Sequence, residues 1–398
     1  MPFALFELKR AGAYYLGGQA KLGATPRSLS GTGGFFMSKG DLMPLLGRRN
    51  KRGCFGLFTA LLGLILAAGP VCSAAATPEQ TGRGPENRGM RLFTDDLKRT
   101  RKIPKQIKRL VVLSGPAVEV TWAMGKGDLI VARSEWATWP PQMKKLPSLG
   151  SIIRPNQELI WELKPDVIVA DMHFRKSAPF MERMGVPVVF LSAVHVEDIG
   201  VLVERMGRLL NKPKRAQELR AFVQKYMNAV KKPLQGLKPQ EKPRVFHGSG
   251  RQLYFTSSSK YGRRVIDEAG AINIADSLPF YWQQVSPEWL VCEDPDYMVL
   301  SPNLAKYSYE VPERKAMSSL WEHAANRPGI RSMRITRDNH LYLLNARLGY
   351  GLRSFIGAIY MAKIFHPDLF PDLDPKQIHA RFLEKFYGLK LEGSYLYP

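Results

Sequence analysis

Two stretches of this 398-residue chain repeat one order of residue types. The first is Asn156-Gln157-Glu158-Leu159-Ile160, leading into Leu163-Lys164-Pro165-Asp166-Val167-Ile168-Val169-Ala170. The second is Val285-Ser286-Pro287-Glu288-Trp289-Leu290, leading into Asp294-Pro295-Asp296-Tyr297-Met298-Val299-Leu300-Ser301. Each predicts a short helix opened by a glutamate, then a Pro-Asp turn, then a strand. The strands are apolar at successive rather than alternating positions, which is the pattern of a parallel strand covered on both faces. One such unit in each half predicts an α/β chain of two lobes that serve one task together.

The surrounding sequence extends the pattern. In the first half, 109–113 is a short apolar run closed by Ser114-Gly115-Pro116, and 118–124 suits a helix packed on it. Further strands are predicted at 129–132, 167–170 and 186–191, and a helix over 196–210. A second helix starts at Pro213, which fits a first turn. There Ala216, Leu219, Phe222, Val223, Tyr226, Met227 and Val230 recur at steps of three and four, giving one apolar stripe. The second half restarts at 244–250, with strands expected at 253–256, 297–300 and 340–344 and helices at 262–269, 353–365 and 375–386. The resulting division is an N-terminal lobe over 91–212, a connecting helix over 213–234, a C-terminal lobe over 235–390 and a tail over 391–398. The fold class is therefore α/β, two lobes, each a parallel β-sheet flanked by helices, joined by one long helix.

Ahead of the lobes, Arg48, Arg49, Lys51 and Arg52 precede an apolar stretch over 54–68 and then the small residues Cys72-Ser73-Ala74-Ala75-Ala76. That is the order of a secretory signal peptide, with cleavage expected after Ala74 or Ala76. Residues 37–76 are assigned to this leader, 1–36 to a non-native upstream extension, and 77–90 to a polar linker. An uncleaved anchor is the alternative.

Composition narrows the function. Hydrophobic residues make up 45% of the chain, enough for a sizeable core, and the formal net charge is +23. The charge fits either an ordinary basic surface or an anionic ligand or membrane. Nucleic acid is disfavoured, because zinc-finger spacing, helix-turn-helix signals and aromatic RNA-binding strands are missing. Cys292 is the one cysteine outside the leader, so it forms no internal disulfide. The seven histidines show no HExxH and no close pair, which argues against a bare metal site. Gly248-Ser249-Gly250 lacks the GxSxG spacing and no Walker A sequence occurs, so the chain reads as neither a hydrolase nor an ATPase.

The chain resembles the periplasmic substrate-binding proteins of ABC importers for iron–siderophore complexes, haem and cobalamin, over about residues 92–388. The resemblance is carried by Phe93-Thr94-Asp95-Asp96, Lys108-Arg109-Leu110-Val111-Val112-Leu113 and Gly127-Asp128-Leu129-Ile130-Val131-Ala132-Arg133. It continues through the two glutamate units, Gly185-Val186-Pro187-Val188-Val189, Gly270-Ala271-Ile272-Asn273-Ile274-Ala275-Asp276 and Ala362-Lys363-Ile364-Phe365-His366-Pro367-Asp368. It implies two lobes joined by a rigid helix, a ligand held in the cleft between them, and delivery to a transmembrane permease. It also implies that Glu158 and Glu288 pair with arginines of that permease dimer. Read alone, each glutamate would simply favour a helix N-terminus.

Ligands of parallel sheets sit beyond the C-terminal ends of strands. The strand-end loops carry Glu135, Trp136 and Trp139, then His173 and Arg175, then Lys260, Tyr261, Tyr281 and Trp282, then Lys306, Tyr307 and Tyr309, and finally Arg347 and Tyr350. The expected ligand-binding set is Trp136, Trp139, His173, Arg175, Trp282, Tyr307, Arg347 and Tyr350: aromatic walls for a macrocycle or chelate, and arginines for its carboxylates or oxyanions. The cargo expected is a metal chelate, first of all an iron–siderophore-type complex, with haem, cobalamin, a nickel chelate or an oxyanion also open, and no cofactor of the protein's own. The alternative function is a periplasmic chaperone or sensor of a metal complex that acts without an importer.

Overall fold

A computed structural model describes residues 89–398, apart from 194–195, 251–253, 259–263, 280–281 and 303–313. The proposed extension, leader and most of the linker lie outside the described residues.

The first element is an antiparallel hairpin of β1 (Met90–Thr94) and β2 (Thr100–Pro104). It was not expected from the sequence, and it takes the last residue of the supposed linker. Asp95 closes it: Oδ1 accepts from the amides of Leu97 and Arg99, and Oδ2 pairs with the Arg99 guanidinium at 2.8 Å.

The first lobe is a four-stranded sheet in the order β4-β3-β5-β6, parallel throughout. Its strands are β3 (Leu110–Val112), β4 (Ile130–Arg133), β5 (Val167–Ala170) and β6 (Val188–Phe190). Every residue of β3, β5 and β6 is buried, as their unbroken apolar runs require. Helices α1 (Gly115–Ala123), α2 (Gln157–Glu162), α3 (Ala178–Arg183) and α4 (Ile199–Leu209) accompany it.

The long helix α5 (Pro213–Leu234) follows, with its stripe Ala216, Leu219, Val223, Met227 and Val230 buried. Pro233 falls in its last turn, where its missing N–H leaves the carbonyl four residues back without its helical donor, and the helix closes one residue later.

In the second lobe, β7 (Arg244–Gly250), β11 (Tyr297–Pro302) and β12 (Leu341–Leu344) form a parallel centre, and β9 (Ile272–Asn273) also pairs parallel with β7. The expected parallel sheet is thus present, and antiparallel edges widen it. β8 (Phe255–Ser257) and β10 (Trp282–Gln284) extend one side and β13 (Leu396–Tyr397) the other. The helices are α6 (Val265–Glu268), α7 (Pro287–Glu293), α8 (Arg314–Ala325), α9 (Arg334–Arg337), α10 (Ser354–Phe365) and α11 (Pro375–Tyr387).

The duplicated unit is reproduced in detail. Glu158 and Glu288, like Asp166 and Asp296, stand 130 positions apart, and residues 154–166 and 284–296 share one burial pattern, position for position. Asn156 caps α2 by accepting from the Leu159 amide, and Ser286 caps α7 by accepting from the Trp289 amide. Each helix is followed by a left-handed residue, Lys164 at φ 44° and Asp294 at φ 37°. Each Pro-Asp turn then ties back to the start of the preceding parallel strand. Asp166 accepts from the amides of Lys108 and Arg109, and Asp296 accepts from the amide of Arg244. Arg109 and Arg244 in turn donate to the carbonyls of Leu163 and Glu293.

A single apolar cluster runs from Leu110 and Val118 in the first lobe, through Leu219 and Val223 of α5, to Val245, Phe355 and Phe382 in the second. Helix α10 is buried on nearly every side, the mark of a helix enclosed in a core rather than lying on one.

Candidate functional site

The C-terminal ends of the two sheets meet. The loop after β4 carries Trp136, and the short helix after β12 carries Arg347; Arg347 Nη2 donates to the Trp136 carbonyl across the lobes at 3.0 Å. Beside this bridge, a Cβ placed on Gly351 would lie 3.4 Å from Pro116, at the head of α1. The Trp136 side chain itself is exposed at 49%. An exposed indole on a loop held from both lobes offers a flat apolar face where the strand ends meet.

Trp139 is the correction to the expected ligand set. Its ring is 6% exposed and packs on the Arg353 guanidinium at 3.9 Å and edge-on against Tyr387 at 4.6 Å. It is therefore part of the lobe interface. Arg353 also pairs with Glu119 of α1, Nη2 to Oε1 at 3.1 Å, with the two side chains 1% and 5% exposed. The Tyr387 hydroxyl donates to the Glu119 carbonyl at 3.0 Å. This buried ion pair links the lobes, and the sequence reading missed it. Its one trace in the sequence is a lone carboxylate inside the apolar run Val118-Glu119-Val120 and a lone arginine ahead of an apolar helix.

Near Arg353 lies His379 of α11, fully buried, with its ring edge-on to Tyr395 at 4.4 Å. Neither ring nitrogen bonds to another protein atom. Burial, and then the charge of Arg353, push its pKa down to about 3.

Of the other expected ligand residues, Arg175 is exposed in the short helix after β5, and Tyr350 is half-buried after β12. The backbone of His173 lies in the short helix after β5, as expected, whereas Trp282 opens the edge strand β10 instead of standing in a loop after a strand; their side chains, and all of Tyr307, lie outside what is described. Among the described residues no group of three or more His, Cys, Asp and Glu is placed to hold a metal ion.

Glu158 and Glu288 are both exposed, in the first turns of α2 and α7. Each helix runs back towards the start of the strand that follows it, so its N-terminus lies at the C-terminal end of the sheet. Each carboxylate therefore sits at the C-terminal end of its own lobe's sheet. Glu288 is held below the usual carboxylate range by its own amide and by the Ser286 hydroxyl. An open groove of about 640 Å³ lined by Arg101, Pro165, Asp166 and Glu182 lies elsewhere, at the N-terminal end of the first sheet. Its Arg101 and Glu182 already pair with each other, so the strand-end loops, where parallel sheets hold their ligands, are the better candidate site.

Two α/β lobes, a long linking helix and strand-end loops that touch across the lobes are the architecture of a solute-binding protein. The chain belongs to the periplasmic binding protein family, whose pattern matches residues 110–348, more than half of it. It is 29% identical over 196 residues to a vitamin B12-binding protein of Pectobacterium carotovorum, covering 48% of this chain and 71% of that one. Its fold is similar to a TroA-like periplasmic binding protein, FepB, from Veillonella parvula (TM-score 0.65, 20% identity, covering 77% of this chain and 99% of that one). The molybdate periplasmic binding protein of a Haemophilus influenzae ABC transporter is comparable (TM-score 0.64, 19% identity, covering 76% and 100%). Proteins of this family bind a solute in the periplasm for an ABC permease. The chain is accordingly a binding protein and not an enzyme, and any metal complex it holds is cargo rather than a cofactor.

Proposed function

We propose that this protein captures a metal chelate with a broad flat face, a corrinoid before others, at the strand ends between its lobes and delivers it to an ABC permease. The observation that carries this reading is the exposed Trp136 indole at the strand ends, tethered through its carbonyl by Arg347 of the other lobe. Its support is the likeness to vitamin B12-binding proteins. Arg175, Arg347 and Tyr350 are the polar groups proposed for the rim of the cargo, with His173, Trp282 and Tyr307 completing the set. A ferric siderophore, the cargo first expected from the sequence, asks more of the arginines and less of the indole. Secretion through a cleaved leader over 37–76 belongs to the same proposal.

The test is thermal unfolding with cyanocobalamin, haemin, a ferric catecholate siderophore and molybdate. A true ligand at a hundred times its Kd adds about 2.7 kcal/mol of stability, a rise of several degrees in Tm. The expected result is a rise with cyanocobalamin that shrinks in Trp136→Ala. A rise with molybdate or the siderophore alone would replace the corrinoid, and no rise with any of them would overturn chelate binding.

Glu158 and Glu288 are proposed as the permease contacts, one per lobe, fixing orientation on the membrane partner. Glu158→Ala with Glu288→Ala is expected to abolish uptake while leaving ligand affinity unchanged. A fall in affinity would show that the carboxylates serve the cargo instead.

A further inference from the structure

The duplicated units share one more feature. Among the eleven large apolar side chains that are exposed in the described residues, two occupy equivalent positions: Trp161 at 49% and Val291 at 42%. Each lies three residues after its glutamate. Residues three apart on a helix are neighbours on one face, so Glu158 stands beside Trp161 on α2 and Glu288 beside Val291 on α7. The packing duties of these helices fall to Ile160 and Leu290, both fully buried. Neither Trp161 nor Val291 is needed for the core.

We infer that Trp161 and Val291 are apolar anchors of the docking surface, each forming with its glutamate a two-part contact, and that the partner is a two-fold symmetric membrane permease offering on each half a cationic side chain beside an apolar hollow. The inference rests on the docking reading of the glutamates. It is carried by the duplication itself. A partner with two-fold symmetry presents the same surface twice, and this chain presents a carboxylate and an apolar side chain together twice, once per lobe. Both copies lie on helices that open at the C-terminal ends of their sheets, where loops of the two lobes touch, so we place one partner over both. The two parts divide the labour. Exposed carboxylates steer approach and set register, whereas an apolar group driven into a hollow holds the complex once formed. Trp161, with the larger face, is the stronger anchor.

The test uses the full chain, without added ligand, binding to the permease–ATPase complex from its own genome in lipid nanodiscs. Trp161→Ala with Val291→Ala is expected to raise Kd at least tenfold, mostly by faster dissociation and at high salt as well as low. Trp161→Phe restores most of the loss, and the thermal midpoint of the free protein stays put. Glu158→Ala with Glu288→Ala instead slows association and removes its salt dependence. Wild-type binding by the Trp161/Val291 variant alongside a defect in the glutamate variant would overturn the anchors and leave the docking glutamates standing. Wild-type behaviour of both variants, or no binding by the wild type, would overturn the docking reading itself and the anchors with it.

Discussion

Glu119→Ala is expected to destabilise the protein by about 3–5 kcal/mol, read as a lower urea midpoint, because it strands the buried Arg353 guanidinium without its carboxylate. The loss comes from an uncompensated charge rather than from the intrinsic strength of the pair. Removing both charges together should therefore recover most of it. Glu119→Leu with Arg353→Met is expected within about 1–2 kcal/mol of the wild type, since well-packed apolar replacements of buried ion pairs are often near neutral. The stacked Trp139 ring keeps an apolar neighbour in that variant. If the double replacement were as unstable as Glu119→Ala, the pair would be contributing attraction that apolar packing cannot match. If Glu119→Ala cost under 1 kcal/mol, the pair would not be sealed from water.

The second large effect is a loss of stability in acid, traced to His379. Its ring ionises at about 3 in the folded protein and near 6.5 in an unfolded chain. Between those values the unfolded state takes up a proton that the folded state refuses. Stability therefore falls as pH drops below about 6.5, by up to about 1.4 kcal/mol per pH unit, to a total on the order of 4 kcal/mol near pH 3. Above pH 6.5 the group contributes no slope. Arg353, Tyr360 and Tyr395 face the ring; the tyrosines stay neutral over this range, and the arginine repels the proton further. His379→Phe keeps the edge contact with Tyr395 and should flatten the acid limb. His366 is also depressed by burial, although its bond to the Gly270 carbonyl works against this, so a smaller slope should persist. An unchanged acid limb in His379→Phe would exclude this origin.

The duplicated units, the parallel strands and the long helix were legible because each is written locally: an apolar run, a stripe of fixed period, a cap residue before a glutamate. The hairpin of β1 and β2 was not. It buries only Phe93 and Ile103, while Met90 and Leu92 of the same hairpin are exposed, so its apolar residues follow no alternation. The two-residue strands β9 and β13 are too short to show any period. The site was harder still. Trp136 and Trp139 stand three apart on one loop, yet one faces outward and the other lies under Arg353. Which way a loop side chain turns depends on what approaches from 200 residues away, and the Glu119–Arg353 pair, separated by 234 positions, leaves no periodic trace. The glutamates were located correctly on exposed helix starts, because their position follows from the unit they open.

The continuous core has a consequence for how such a protein signals that it is loaded. Among the described residues, apolar packing runs unbroken from one sheet through α5 and α10 to the other, and a desolvated ion pair is set across the join, so a clamshell closure would have to disrupt both. A clamshell announces its contents by changing shape; a stiff cradle does not. Under the proposed docking, occupancy would be sensed at the rim, through the cargo's own exposed edge and the loops beside it, and an empty cradle would compete with a full one for the same berth.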